Sequence, residues 1–206
     1  MLHGASSNIK PASRLIGIDD GPFPPKTDDK VRYAPLMAVW LKGAHLQRLR
    51  THWITVDGLD ATRKAELLLK GSQHIPVLLS GATFGGFNLI DPWKIQKNIK
   101  APVIVVIGSR PDNRAVKRAL SRHFPDWKER WDLIRSLGPL HQVRTIASEG
   151  PVFFERFGCS TQDAALILKA SAFVSRVPEP LRVAGILARG LFSPNLSCRL
   201  LGYRML

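Results

Sequence analysis

The order of the apolar segments constrains the fold of this chain more than any other property. Residues 14–18 form a short apolar run rich in β-branched side chains, halted by Asp19-Asp20-Gly21-Pro22. Residues 33–41 and 46–56 are two more strand-like runs, parted only by Lys42-Gly43-Ala44-His45. A break that short, with a glycine in it, suits a hairpin, so the chain opens as a three-strand antiparallel meander. A helix over 63–70 follows, with Asp60 or Thr62 as its cap. The continuous apolar runs 75–79 and 102–107 have the character of buried parallel strands. Helices are expected after Asp91-Pro92-Trp93 and over 113–122, 125–137, 161–170 and 180–191, with weaker strands at 141–146 and 151–154. This order predicts an α/β fold: a mixed sheet, the meander and then parallel strands, flanked by helices. Ribonuclease H-like domains use that order, and other α/β folds share it.

The length of 206 residues and a hydrophobic fraction of 45% predict a single domain over 1–206. Residues 1–12 and 194–206 read as loose ends. Charge narrows the partner. Thirty Lys and Arg against sixteen Asp and Glu give +14, with a pI near 10.5. Such a surplus attracts polyanions, and nucleic acid is the commonest of these because each phosphate contacted releases a counterion. Cys159 and Cys198, far apart and without a CxxC, point away from a disulfide framework or a zinc site. With no apolar leader and no run near the ~18 residues a membrane span needs, a soluble, cytoplasmic protein is expected.

The residues with chemical promise are mostly acidic. Asp19 and Asp20 close the first strand, where two adjacent carboxylates call for a cation, an arginine or solvent. A hard divalent ion suits them, and strand alternation aims only one at it, here taken as Asp19. An Asp-Asp-Gly-Pro turn with carboxylates bound to backbone is an equal reading. Asp57 and Asp60 form a second cluster, Asp60 doubling as a helix cap. Glu179 offers a late carboxylate, or simply an acid favoured by a helix N-terminus. The loop Thr83-Phe84-Gly85-Gly86-Phe87-Asn88 brings backbone amides and two aromatic faces within reach of a base. Arg110, Arg114, Lys117, Arg118, Arg122 and His123 make a basic helical face, with Arg176 and Arg182 as further phosphate contacts. His52 and His141 are taken as structural.

Five blocks occur in order: residues 15–23 (LIGIDDGPF), 54–62 (ITVDGLDAT), 81–88 (GATFGGFN), 124–127 (FPDW) and 177–182 (VPEPLR). Together they resemble the archaeal endonuclease dU family over about residues 8–191. The resemblance implies a ribonuclease H-like fold related to endonuclease V and a magnesium- or manganese-assisted nuclease. Its substrate would be DNA, with RNA as the alternative, carrying deaminated bases and deoxyuridine in particular. Asp19 matches the carboxylate that anchors the metal, Asp57 or Asp60 the next ligand, and the 81–88 loop the place for the strand or lesion base. One position departs from the family pattern. Ser80 stands where an Asp is expected, which leaves Asp91 or Glu179 to compensate, or a member that binds nucleic acid without cutting it.

Overall fold

The computed structural model describes residues 14–26 and 30–191, so Cys198 and both expected loose ends lie outside the described residues. The strands are β1 (Arg14–Asp20), β2 (Tyr33–Lys42), β3 (His45–Thr55), β4 (Val77–Ser80), β5 (Thr83–Phe84), β6 (Asn88–Leu89), β7 (Val103–Ile107), β8 (His141–Val143) and β9 (Val152–Phe157). The helices are α1 (Ala61–Leu68), α2 (Pro92–Ile99), α3 (Asn113–His123), α4 (Trp127–Arg135), α5 (Thr161–Ser171) and α6 (Glu179–Leu191).

Seven strands make one mixed sheet in the order β3-β2-β1-β4-β7-β9-β8. The expected meander is present, with β2 between β1 and β3. β1, β4 and β7 are mutually parallel. The parallel part then stops, because β9 pairs antiparallel with both β7 and β8. The 144–151 connection between β8 and β9 contains no helix, and a parallel pair needs a longer crossover.

Alternation along the strands feeds cores on both faces. Ile16, Ile18, Val77, Leu79, Val103 and Val105 pack beneath α1 and α2. Leu15, Leu78, Ile104 and Val106 face Ala164, Ile167 and Leu168 of α5. Met37, Val39 and Leu41 of β2 meet Ala184 and Ala188 of α6. β1 and β2 are therefore buried from both sides, whereas β3 is an exposed edge.

Two glycines set how close α6 lies to β1. A Cβ on Gly17 would fall 2.2 Å from the Pro180 carbonyl carbon and oxygen, and one on Gly185 would fall 2.3 Å from Asp19 Oδ2. Neither site has room for a methyl group, so glycine there is a packing requirement.

Candidate active site at the ends of the central strands

After β1 the chain builds β2 and β3 to one side, then crosses through α1 to place β4 on the other side of β1. The β1/β4 boundary is thus a switch point of the sheet, where crevices open at the carboxyl ends of parallel strands. Ile18 pairs with Leu79, so the next residues, Asp19 and Ser80, stand side by side at that crevice.

β1 runs two residues further than its apolar stretch suggests and carries both carboxylates within the strand. Alternation then separates them. Asp19 points toward α6, where its Oδ2 meets the bare face of Gly185. Its Oδ1 accepts the N–H of Asp20 at 3.0 Å. Burial, and then the charge of Asp20, push the Asp19 carboxyl up to about 6. The Asp20 amide, the Ser80 hydroxyl and the charge of Arg189 pull the other way. Asp20 is raised too, by burial, against a hydrogen bond from Gly85.

That bond belongs to a wider pattern. The glycine-rich segment folds into a small hairpin of β5 and β6, and three acidic residues lace it down. Gly85 N–H donates to Asp20 Oδ2 at 2.6 Å, and Phe87 N–H to Asp57 Oδ1 at 3.0 Å. The Asn88 side-chain amide donates to Asp60 Oδ1 at 2.6 Å. Asp57 adopts a positive φ of 60°, a conformation Asp tolerates. Its Oδ2 pairs with Arg32 at 3.3 Å. Asp60 also accepts from the N–H and hydroxyl of Thr55 and makes no side-chain cap to α1. That helix is started instead by Asn88, whose Oδ1 takes the Ala61 N–H at 2.9 Å.

With this geometry in place, comparison with known proteins fixes the relationship. The sequence profile described as endonuclease dU matches residues 11–192. The chain belongs to the endonuclease dU family. A UPF0215 protein of Methanothermobacter thermautotrophicus is 38% identical over 187 residues, 89% of each chain, and one of Thermococcus gammatolerans is 36% identical over 191, covering 90% of this chain and 95% of the relative. A solved protein of unknown function from Archaeoglobus fulgidus superposes with a TM-score of 0.74 at 28% identity, covering 87% of this chain and 98% of that one. Endonuclease V from Streptomyces avermitilis gives a TM-score of 0.56 at 14% identity, covering 88% and 82%, a likeness of fold. The ribonuclease H-like, endonuclease V-related architecture inferred from the blocks agrees with that fold.

In this endonuclease dU family member the carboxylates expected to share one cation do not converge. Among the described residues no group of three or more His, Cys, Asp or Glu is placed to hold a metal ion. Asp57 and Asp60 are occupied by the hairpin. Both oxygens of Glu179 are taken by Arg182, at 2.9 Å from Nε and more closely from the second guanidinium nitrogen. Asp91, the other possible substitute for an acid at position 80, caps α2 by accepting the Lys94 N–H. What remains is Asp19 and, beside it by strand register, Ser80. That set fits a magnesium-like ion held by one or two carboxylates and completed by water and substrate phosphate, rather than a closed protein cage.

The expected nucleic-acid contacts divide in the same way. Phe84 is fully buried in the core beneath α1 and α2, so it offers no stacking face. Gly85 and Asn88 are buried as well, leaving Gly86 exposed and Phe87 half-buried at the hairpin tip. Arg110, Arg114, Lys117 and Arg118 stand exposed on and before α3, which leaves the sheet at the carboxyl end of β7 beside the crevice. Lys117 lies 5.7 Å over the Trp131 ring. Arg176 is spent on structure, its guanidinium donating to the Pro151 carbonyl, and Arg182 is held by Glu179. Of the histidines taken as structural, His141 stacks near Phe154 at 5.5 Å.

Three residues of this family member escaped the reading of its sequence. Arg130, 5% exposed, donates to the carbonyls of Gly58, Phe87 and Asp57 and pairs with Asp126 at 2.9 Å. Its guanidinium lies 4.5 Å over Phe124, whose ring meets Phe87 edge-on at 5.5 Å. Nothing local marks an arginine in an amphipathic helix as a buried clamp. Glu155 is 6% exposed, and its Oε2 has no hydrogen-bond partner among the described residues. Gly185 did leave a signal, since a glycine inside a helix costs about 1 kcal/mol against alanine and so implies a close approach.

Proposed function

We propose that this protein is a divalent-metal-assisted endonuclease that cuts DNA at or near deaminated bases, deoxyuridine first among them. The observation that carries the reading is Asp19, a carboxylate at the sheet's switch point with one oxygen left uncommitted by the fold. Family membership supports nuclease chemistry on nucleic acid.

Asp19, with the Ser80 hydroxyl beside it, would hold the magnesium or manganese ion. Such an ion supplies an activated water and neutralises charge developing on the phosphate. Asp19 is ionised above pH of about 6 and is then competent as a ligand. Ser80 adds a neutral oxygen, a weaker ligand than a carboxylate, so metal affinity is modest and rises when substrate phosphate joins the site. The exposed arginines and lysine of α3 track the backbone, and Phe87, braced by Phe124 and Arg130, presents a ring on which an unstacked base rests.

A second reading, a nucleic-acid binder without cutting activity, draws on Ser80 and on the pairing of Glu179 with Arg182 and Asp57 with Arg32. Both readings meet in one experiment. A labelled strand containing one deoxyuridine is incubated with magnesium, manganese or chelator and the wild type, Asp19→Asn or Ser80→Asp. Metal-dependent nicking by the wild type, lost in Asp19→Asn and strengthened in Ser80→Asp, is expected. Salt-sensitive binding with no nicking by the wild type establishes the binder.

A further inference from the structure

We infer that Arg189 on α6, reaching across the bare face of Gly185, is a phosphate-contacting residue that grips the nucleic-acid backbone opposite Asp19. This inference rests on the nucleic-acid reading of the crevice and adds a side to it that no motif of the chain announces.

Three observations carry it. The two terminal nitrogens of Arg189 both lie 3.0 Å from the point where a Gly185 Cβ would sit, and Asp19 Oδ2 lies 2.3 Å from the same point. Equal distances mean that the forked edge of the guanidinium folds back over Gly185, the residue whose bare face Asp19 Oδ2 also meets. Arg189 nonetheless makes no ion pair or hydrogen bond among the described residues, so its donors stay available and its side chain is exposed. Several arginines packed around the site are committed, Arg32 to Asp57, Arg130 to three carbonyls, Arg176 to Pro151 and Arg182 to Glu179, whereas Arg189 is not.

A guanidinium fork with unused donors matches a phosphate in two-point geometry, which a lysine does not reproduce. The carboxylate from β1 and the guanidinium from α6 lie side by side over Gly185, with Arg189 exposed to solvent. A phosphodiester approaching from solvent meets donors on the helix side, where a site of acids alone would repel it. Gly185 lets the two approach: a side chain at that position would collide with Asp19 Oδ2 and displace the guanidinium. The plainer role for Arg189, offsetting the charge of Asp19 and Asp20, needs no contact with a ligand, and binding separates the two.

The test measures binding of a labelled single strand with no deaminated base, in chelator and across a salt series. Wild type runs beside Arg189→Ala, Arg189→Lys and a control, Arg63→Ala, which removes one exposed charge from α1. Arg189→Ala is expected to weaken binding about five- to ten-fold and to lower the slope of log K against log salt by about one. Arg189→Lys restores the slope but only part of the affinity, and Arg63→Ala changes binding less than about two-fold. Unchanged thermal unfolding of each variant certifies the fold. An Arg189→Ala protein that binds no more weakly than Arg63→Ala overturns the inference. Because this assay has no lesion, metal or cleavage in it, the inference can fail while the nuclease reading stands, and the reverse.

Discussion

Asp20 Oδ2 accepts the Gly85 N–H at 2.6 Å, and this bond joins the end of β1 to the hairpin that overhangs the crevice. The carboxylate beside the candidate metal ligand is therefore a latch. Replacing Asp20 by Asn keeps the shape and removes the charge that raises Asp19. In the metal-free protein, carboxyl NMR should place the Asp19 midpoint at about 6 in the wild type and clearly lower in Asp20→Asn. A charge-assisted bond becomes a neutral one, with a stability loss of about 1 kcal/mol. An Asp19 midpoint that does not move would show that burial alone raises it.

Gly86 has φ of 87°, and a Cβ there would lie 2.2 Å from Asp57 Oδ1. Gly86→Ala must distort the backbone and expel Asp57 from its bond with Phe87. Denaturant unfolding should report a loss of about 2–4 kcal/mol. At Gly81, where φ is 90° but nothing lies within 4 Å, the same change carries only the conformational cost of about 1–2 kcal/mol. Equal losses at the two positions would refute the role given to the Asp57 contact.

Arg130→Met preserves the aliphatic stem and removes every donor. The carbonyls of Gly58, Phe87 and Asp57 lose a partner at once, as does Asp126. A loss of about 3 kcal/mol is expected, with hydrogen exchange rising first at residues 57–58 and 86–88. Protection that falls evenly across the sheet instead would make Arg130 a general core residue.

Glu155 is driven up to about 7 by burial. A carboxyl whose folded value exceeds its unfolded value contributes stability that is complete below the unfolded value near 4.5. That contribution is lost as pH rises to about 7. The wild type should therefore weaken by on the order of 2–3 kcal/mol across that window. Glu155→Gln should lack this slope and be the more stable protein above pH of about 7. Parallel pH profiles of the two proteins would exclude a buried proton on Glu155.

Much of the architecture was legible because the apolar runs of β1, β4 and β7 are continuous and the meander is set by one short break. Asp19 was legible for a related reason: a buried strand that ends in acid states both a place and a charge. Asp57 and Asp60 were not separable from ligands, since a carboxylate that binds amide N–H groups is written with the same letter as one that binds a metal. Phe84 and Phe87 flank the same two glycines, and only the register of β5 sends one ring inward and leaves the other at the surface. Glu155 belongs to no motif, because its isolation comes from what packs around β9.

The closeness of α6 to β1 bears on how the protein comes into being. β1 is the first described strand and α6 the last described helix, and Gly17 and Gly185 bring them into contact. On the ribosome, the acid end of β1 must wait for almost all the described chain to be made before Gly185 and Arg189 can reach it. A partly synthesised or C-terminally clipped chain would thus carry Asp19 without Gly185 and Arg189 beside it, and β2 without the cover of Ala184 and Ala188.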